Sequence, residues 1–255
     1  MELPISPNLP ASGEHPVDAP IGLLPQRTDP LRYGGQSDDP SEAPGILLSN
    51  IPEGSVVLDV GCGSGAITRL IRDKRRCHVI GIEPNPPRAR AARQAGLEVI
   101  NDVFSSRTVG GLPSFDAVVF ADVLEHLVDP AAALTLARTL IRPGGCVVAS
   151  VPNVAHWSVR LELLRGRFDY TASGIMDATH LRWFTKATLV ALVEAAGYDI
   201  ATYSGSAGLW MPVYRTHWAF RRLGSATRTR VVTAAVRRWP ALFACQHVFK
   251  ATPRR

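Results

Sequence analysis

Lysine is almost missing from this chain of 255 residues: three lysines stand against twenty-five arginines. Cysteine is sparse as well, and the four present (Cys62, Cys77, Cys146 and Cys245) form no Cys-x-x-Cys pair. That spacing argues against a zinc ribbon or a disulfide framework and fits a reducing compartment. No apolar run reaches the roughly eighteen residues of a membrane-spanning helix. The opening Met1-Glu2-Leu3-Pro4 lacks a basic segment followed by an apolar one, so no secretory signal and a cytoplasmic location are expected. Acidic residues vanish after residue 200: positions 201–255 carry ten basic side chains and no acidic one, while residues 1–200 carry a net charge of −4. A one-signed segment of this kind suits nucleic acid, an anionic lipid surface or an acidic partner. The stacking motifs of the usual nucleic-acid modules do not accompany it, so an arginine-rich helical appendage is the plainer reading. What remains, 46% hydrophobic and 20% charged residues, supplies one sizeable core.

Half of the twenty prolines fall in residues 1–52, which predicts an arm or lid rather than a folded unit, with Arg32-Tyr33-Gly34-Gly35-Gln36 able to close over a ligand. From residue 53 to 255 short apolar runs alternate with helical segments. Strands are expected at Val56–Val60, His78–Ile82, Leu97–Ile100, Asp116–Ala121, Cys146–Val151, Asp199–Tyr203 and Gln246–Ala251. Helices are expected at Ala66–Lys74, Pro86–Ala95, Pro130–Ile141, Val159–Arg165 and Thr185–Ala196. Two basic helices near 213–222 and 228–238 make an insertion of about residues 205–244 before the last strand. Strand–helix alternation with short connections implies an open α/β fold with a mostly parallel sheet covered on both faces.

The strongest local signal is Leu58-Asp59-Val60-Gly61-Cys62-Gly63-Ser64-Gly65, at the turn from the first strand into the first helix. Glycines there let backbone approach a ligand, in the crevice where open α/β sheets bind ligands. Asp59 would face a diphosphate unfavourably but suits an ammonium group. Glu83, ending the second strand, can accept both hydroxyls of a ribose. Asp102, after the third strand, can meet an adenine amino group. As a set, Val57–Gly65, Glu83, Asp102 and Phe115–Asp122 resemble the class I S-adenosylmethionine-dependent methyltransferases. The resemblance spans Gly54 to Gly197 and the terminal strand pair. It implies a Rossmann-like sheet of seven strands whose last strand runs antiparallel. It also implies that Asp59, Gly61, Cys62, Gly63 and Gly65 cradle the methionine part of S-adenosylmethionine, Glu83 the ribose, Asp102 and Val103 the adenine, with Ala121 beside them.

After the fourth strand comes Asp122-Val123-Leu124-Glu125-His126. Asp122, Glu125 and His126 can converge at one point, and His180, on the loop before the helix at Thr185, can join them. Carboxylates with imidazole suit Mg²⁺ or Mn²⁺. The arrangement resembles the metal-dependent 2′-O-methyltransferases of small-RNA 3′ ends, whose pattern is Glu-x-x-Glu-His followed by a His, with Asp122 in place of the first Glu. The Glu-His pair is also shared by ubiquinone-pathway O-methyltransferases. A bound cation would lower the pKa of the hydroxyl to be methylated. Without one, His126 lines the pocket and His180 caps a helix or serves as general base. Glu125, His126 and His180 are the expected catalytic residues.

Trp157, Phe168, Tyr170, Trp183 and Phe184, with Arg160, Arg167 and Arg182, are expected near the acceptor. Asn153, His156, Arg167 and Tyr170 are the expected contacts. The stretch Val151–Phe184 resembles methyltransferases found with glycan-assembly enzymes. That implies a small carbohydrate acceptor such as the 1-hydroxyl of a methylated mannoside. An RNA 2′-hydroxyl, a small phenol, a non-catalytic binding subunit and a dinucleotide oxidoreductase stay open as alternatives, and so does a homodimer.

Overall fold

The computed structural model describes residues 36–254; Arg32–Gly35 of the segment expected to close over a ligand lie outside them. The elements run α1 (Ala43–Asn50), β1 (Val56–Val60), α2 (Ala66–Arg75), β2 (His78–Ile82), α3 (Pro86–Gln94), β3 (Glu98–Ile100), α4 (Ser106–Val109) and β4 (Phe115–Ala121). A 3₁₀ turn at Leu124–His126 leads to α5 (Pro130–Arg138), β5 (Ile141–Pro152), α6 (Trp157–Leu164), α7 (Lys186–Ala195) and β6 (Tyr198–Gly205). The insertion holds α8 (Val213–Thr216), α9 (Trp218–Arg221), α10 (Ser225–Arg238) and α11 (Pro240–Phe243), and β7 (Gln246–Pro253) follows. One open sheet has the strand order β3-β2-β1-β4-β5-β7-β6. β1 to β5 are parallel, and β7 enters antiparallel between β5 and β6. The expected seven-stranded α/β class is the one observed.

Because side chains alternate across a strand, each central strand feeds two cores. Leu58, Val118, Phe120 and Val147 pack with Leu134 of α5 and Leu189 of α7 on one face. Val57, Val119 and Val148 pack with Ile71 of α2 and Leu47 of α1 on the other. α1 falls within the residues expected to form the arm. Ala43, Gly45 and Ile46–Leu48 are all buried, so it has no polar stripe to betray it, and its proline sits in the first turn, where no amide is needed.

Two further boundaries differ. α5 stops at Arg138 and β5 already begins at Ile141, so Pro143-Gly144-Gly145 lies inside a strand; a register shift against β4 between Phe115 and Ala117 accommodates it. The first basic helix is two short ones meeting at His217. α10 is packed against the rest of the insertion: Val232 and Val236 are buried with Ala207, Tyr214 and Ala244.

Gly65 shows how packing can imitate a ligand motif. It caps α2 in the left-handed conformation at φ 83°, and a Cβ there would run into Leu97 and meet the Cβ of Ala92 at 3.3 Å. This glycine serves the seam between α2 and α3. Gly65→Ala is expected to cost about 2–4 kcal/mol, from the left-handed backbone and the overpacking together. Thermal unfolding measures it, and an unchanged Tm would mean that the seam yields.

Candidate active site

The carboxyl ends of the parallel strands open into one cavity of about 1120 Å³, above the roughly 300–1,000 Å³ usual for one small ligand. β1 delivers Asp59, β2 Glu83, β4 Ala121 and Asp122, and the following 3₁₀ turn Glu125 and His126; all line it. Gly61, Cys62 and Gly63 line it as well. Gly63, at φ 58°, would have nothing within 4 Å of an added Cβ, so its backbone faces open space. Cys62 is buried, and that burial pushes its thiol far up, so it packs as a protonated side chain.

Two buried carboxylates anchor this end. Glu83 accepts the Gly63 amide at 2.9 Å and the Asn85 amide at 2.8 Å, which ties the end of β2 to the glycine loop. Asp59 is 1% exposed and accepts the Thr68 hydroxyl at 2.7 Å. Burial, opposed by the Thr68 bond and assisted by neighbouring Glu83, pushes its pKa up to about 7. Asp102 is not in the wall: its carboxylate takes the Val103 amide at 2.8 Å and the Thr108 hydroxyl at 3.1 Å. Val103 and Phe104 line the cavity instead, with Val103 54% exposed.

Glu125, His126 and His180 each bring one ligand-capable atom within 4.8 Å of the others. Glu125 is 1% exposed, and among the described residues neither of its carboxylate oxygens has a hydrogen-bond partner. Burial first, and then Asp122, pushes its pKa well above the ordinary range. Both imidazoles are oriented through Nδ1: His126 by the Thr179 carbonyl and His180 by the Ile175 carbonyl, each at 3.1 Å. The Glu125 carbonyl takes the Leu181 and Arg182 amides, which fastens the His180 loop onto the turn. A backbone carbonyl on the far ring nitrogen is the usual support of a metal-binding histidine.

Asp122 stands apart from this group. It is held at φ 54°, an uncommon conformation for a residue with a Cβ. Its carboxylate takes the Ser150 hydroxyl and the Gln246 amide, both at 2.7 Å. It lines the cavity, and desolvation there raises its pKa. The expectation that Asp122 joins the metal ligands is corrected accordingly, since β5 and β7 occupy it.

The four residues expected to touch the acceptor are engaged elsewhere. Asn153 is fully buried and bonds the Ala244 carbonyl and the Ala155 amide. His156 is fully buried between Ser158 and the Tyr214 hydroxyl, and burial lowers its pKa to about 4. Arg167 pairs with Glu162 at the surface. Tyr170 packs edge-on to Phe168 and near Trp183, in an aromatic cluster outside the cavity wall. Arg160 and Arg182 donate to the carbonyls of Ala155 and Val128. The rest of the wall comes instead from Ala43, Pro44 and Leu47 of α1, from Ile175, and from Trp210 and Gln246. Sequence reasoning missed these. Only Trp210, one of three indoles in the basic insertion, left a signal.

Among the described residues no helix is long and apolar enough to cross a membrane. Residues 40–203 match the family described as "Methyltransferase domain". A ubiquinone biosynthesis O-methyltransferase of Xanthomonas axonopodis pv. citri is 31% identical over 195 residues, covering 73% of this chain and 77% of that protein. The CcbJ methyltransferase of Streptomyces caelestis superimposes with a TM-score of 0.55 at 16% identity, covering 87% of this chain and 92% of that one. A SAM-dependent methyltransferase of Archaeoglobus fulgidus does so at 0.51 and 18% identity, covering 81% and 89%. The chain belongs to the S-adenosylmethionine-dependent methyltransferase family, as an O-methyltransferase.

Proposed function

We propose that the chain methylates a hydroxyl on a ring-shaped small molecule, presented at the Glu125–His126–His180 group with a divalent cation. One observation carries this reading: Glu125, buried with both oxygens unpartnered among the described residues, beside two imidazoles steered from behind by backbone carbonyls. A buried carboxylate left in that condition costs stability, which a cation would recover. With Asp122 excluded, two imidazoles and one carboxylate suit Mn²⁺ or another first-row ion better than Mg²⁺, which prefers oxygen donors.

On this reading Asp59 takes the ammonium of the cofactor, Glu83 its ribose hydroxyls, and Val103 and Phe104 the flat faces of its adenine. The cavity then holds the acceptor between Trp210 and the His180 loop, with α1 as an apolar back wall that keeps water out. Transfer breaks a sulfur–methyl bond, forms an oxygen–methyl bond and leaves one proton for the protein to take. A divalent cation at the three-residue group supplies the charge that lowers the acceptor hydroxyl's pKa. With both imidazoles turned to the cation, the Glu125 carboxylate would be left to take the proton.

The apolar wall and the name of the curated relative favour a phenolic, quinone-forming ring. A second reading, a sugar hydroxyl, draws on Trp210, since an indole also covers the apolar face of a sugar. Labelled-methyl transfer to phenols, mannosides and short RNAs, with Mn²⁺, Mg²⁺ or EDTA, tests both. Transfer to a phenol or a sugar that EDTA stops supports the site and selects the acceptor. Transfer untouched by EDTA removes the cation and leaves Glu125 or a histidine as the base, and label on RNA alone overturns the small-molecule reading.

A further inference from the structure

The insertion between β6 and β7 carries a basic, indole-bearing surface outside the cavity wall. α10 buries Val232 and Val236 and turns Arg230, Val231, Arg237 and Arg238 outward. Trp239 follows, 53% exposed, with the Arg238 guanidinium 5.2 Å from its ring centre. On α9, Trp218 is 75% exposed and stands three residues before the exposed pair Arg221 and Arg222. Two indoles and a valine in water are costly apolar surface, while the arginines around them meet no acidic residue anywhere in 201–255.

We infer that this face docks the protein on an anionic phospholipid surface, with Trp218 and Trp239 at headgroup depth and Arg221, Arg222, Arg237 and Arg238 against the phosphates. Indoles, apolar on their faces and polar at one edge, settle at that depth, and arginine-rich helix faces are drawn to anionic leaflets. Membrane is favoured over nucleic acid for two reasons on this surface. One face of the Trp239 ring is already covered by Arg238, which leaves less of it for stacking a base, and Val231 offers a phosphate nothing. The same insertion sends Trp210 into the cavity wall beside Gly174, so the docking face and the cavity belong to one structural unit. The inference stands whether the acceptor is a phenol or a sugar.

The test is co-sedimentation of the full chain with vesicles of phosphatidylcholine alone or mixed with phosphatidylglycerol, in low and high salt, with tryptophan emission recorded alongside. Binding to the anionic vesicles only, weakened by salt and accompanied by a blue shift, is the expected result. Arg237→Glu with Arg238→Glu should weaken it at least about tenfold. Trp218→Ser with Trp239→Ser should weaken it and remove most of the blue shift. Both double variants should keep wild-type S-adenosylhomocysteine binding, which shows that they fold. Absence of binding to anionic vesicles in low salt, binding indifferent to both pairs of substitutions, or binding to a generic RNA but not to vesicles would each overturn the inference.

Discussion

His180→Ala is expected to lower methyl transfer by about 10²–10⁴-fold while leaving S-adenosylhomocysteine affinity within about threefold of wild type. His180 closes the three-residue group from a loop that also touches the 3₁₀ turn, so a loosened loop must be told apart from a lost ligand. Glu125→Gln makes that distinction, because it leaves the loop alone and removes the carboxylate. Both variants should lose Mn²⁺ binding, read by the spin-resonance signal of the free ion. Glu125→Gln should also raise the Tm of the metal-free protein, since a buried acid without a partner disappears. The pH sign follows from the raised pKa of Glu125. The folded protein binds this proton at pH values where the unfolded chain has released it. Metal-free stability therefore falls as pH rises above the unfolded value, and a cation that displaces the proton binds more tightly as pH rises. Full activity in His180→Ala would remove this histidine from the mechanism.

Asp59→Asn is expected to weaken S-adenosylhomocysteine binding about 10–100-fold, the worth of a charge-assisted contact in a buried site. The wild type should show a pH dependence that the variant lacks. Asp59 has a pKa of about 7 in the folded protein, so below that value the cofactor's ammonium meets an uncharged acid. Affinity should then fall by up to about tenfold per pH unit below 7, and stay flat in Asp59→Asn. For stability without ligand the sign is again that of a raised acid: the contribution is favourable below the unfolded pKa of about 3.9 and is lost as pH rises toward 7. Calorimetric titration at pH 6, 7 and 8 checks the binding, and a wild-type profile as flat as the variant's would take the ammonium away from Asp59.

The parallel half of the fold was legible because its strands are buried on both faces and therefore read as apolar runs interrupted by a single aspartate, as at Val56–Val60 and Phe115–Ala121. The glycine loop, Asp59 and Glu83 were legible for a similar reason: each occupies the end of its own strand, a position that neighbouring residues define. Glu125 and His126 lie on a single turn, and His180 was drawn to them by its place on the loop before the helix at Thr185, with the family resemblance in support. What escaped was decided by contacts between distant parts of the chain. Asp122 is taken by Gln246, 124 residues away, and Asn153 by the carbonyl of Ala244, 91 away. The Glu42 carboxylate takes the Leu209 amide across 167 residues and so ties the start of α1 to the segment bearing Trp210. No local pattern announces such partners. Gly65 misled in the opposite direction, since a glycine needed for helix packing sits inside a ligand motif.

The place of β7 has a consequence for how the molecule comes into being. β5 and β6 are not neighbours; each pairs with β7, whose residues are the last of the sheet to be synthesised. At about 5–20 residues per second, β5 waits several seconds with an open edge while the insertion is made. During that interval β1 to β5 can already form a parallel sheet, but Gln246 has not arrived to hold Asp122, and the wall segment that carries Trp210 has no strand behind it. The end of the cavity built by β1 to β4 thus matures early, and the part walled by Trp210 and Gln246 late. A nascent chain stalled before Gln246 would be a chaperone client with an open strand edge, and not a slow enzyme.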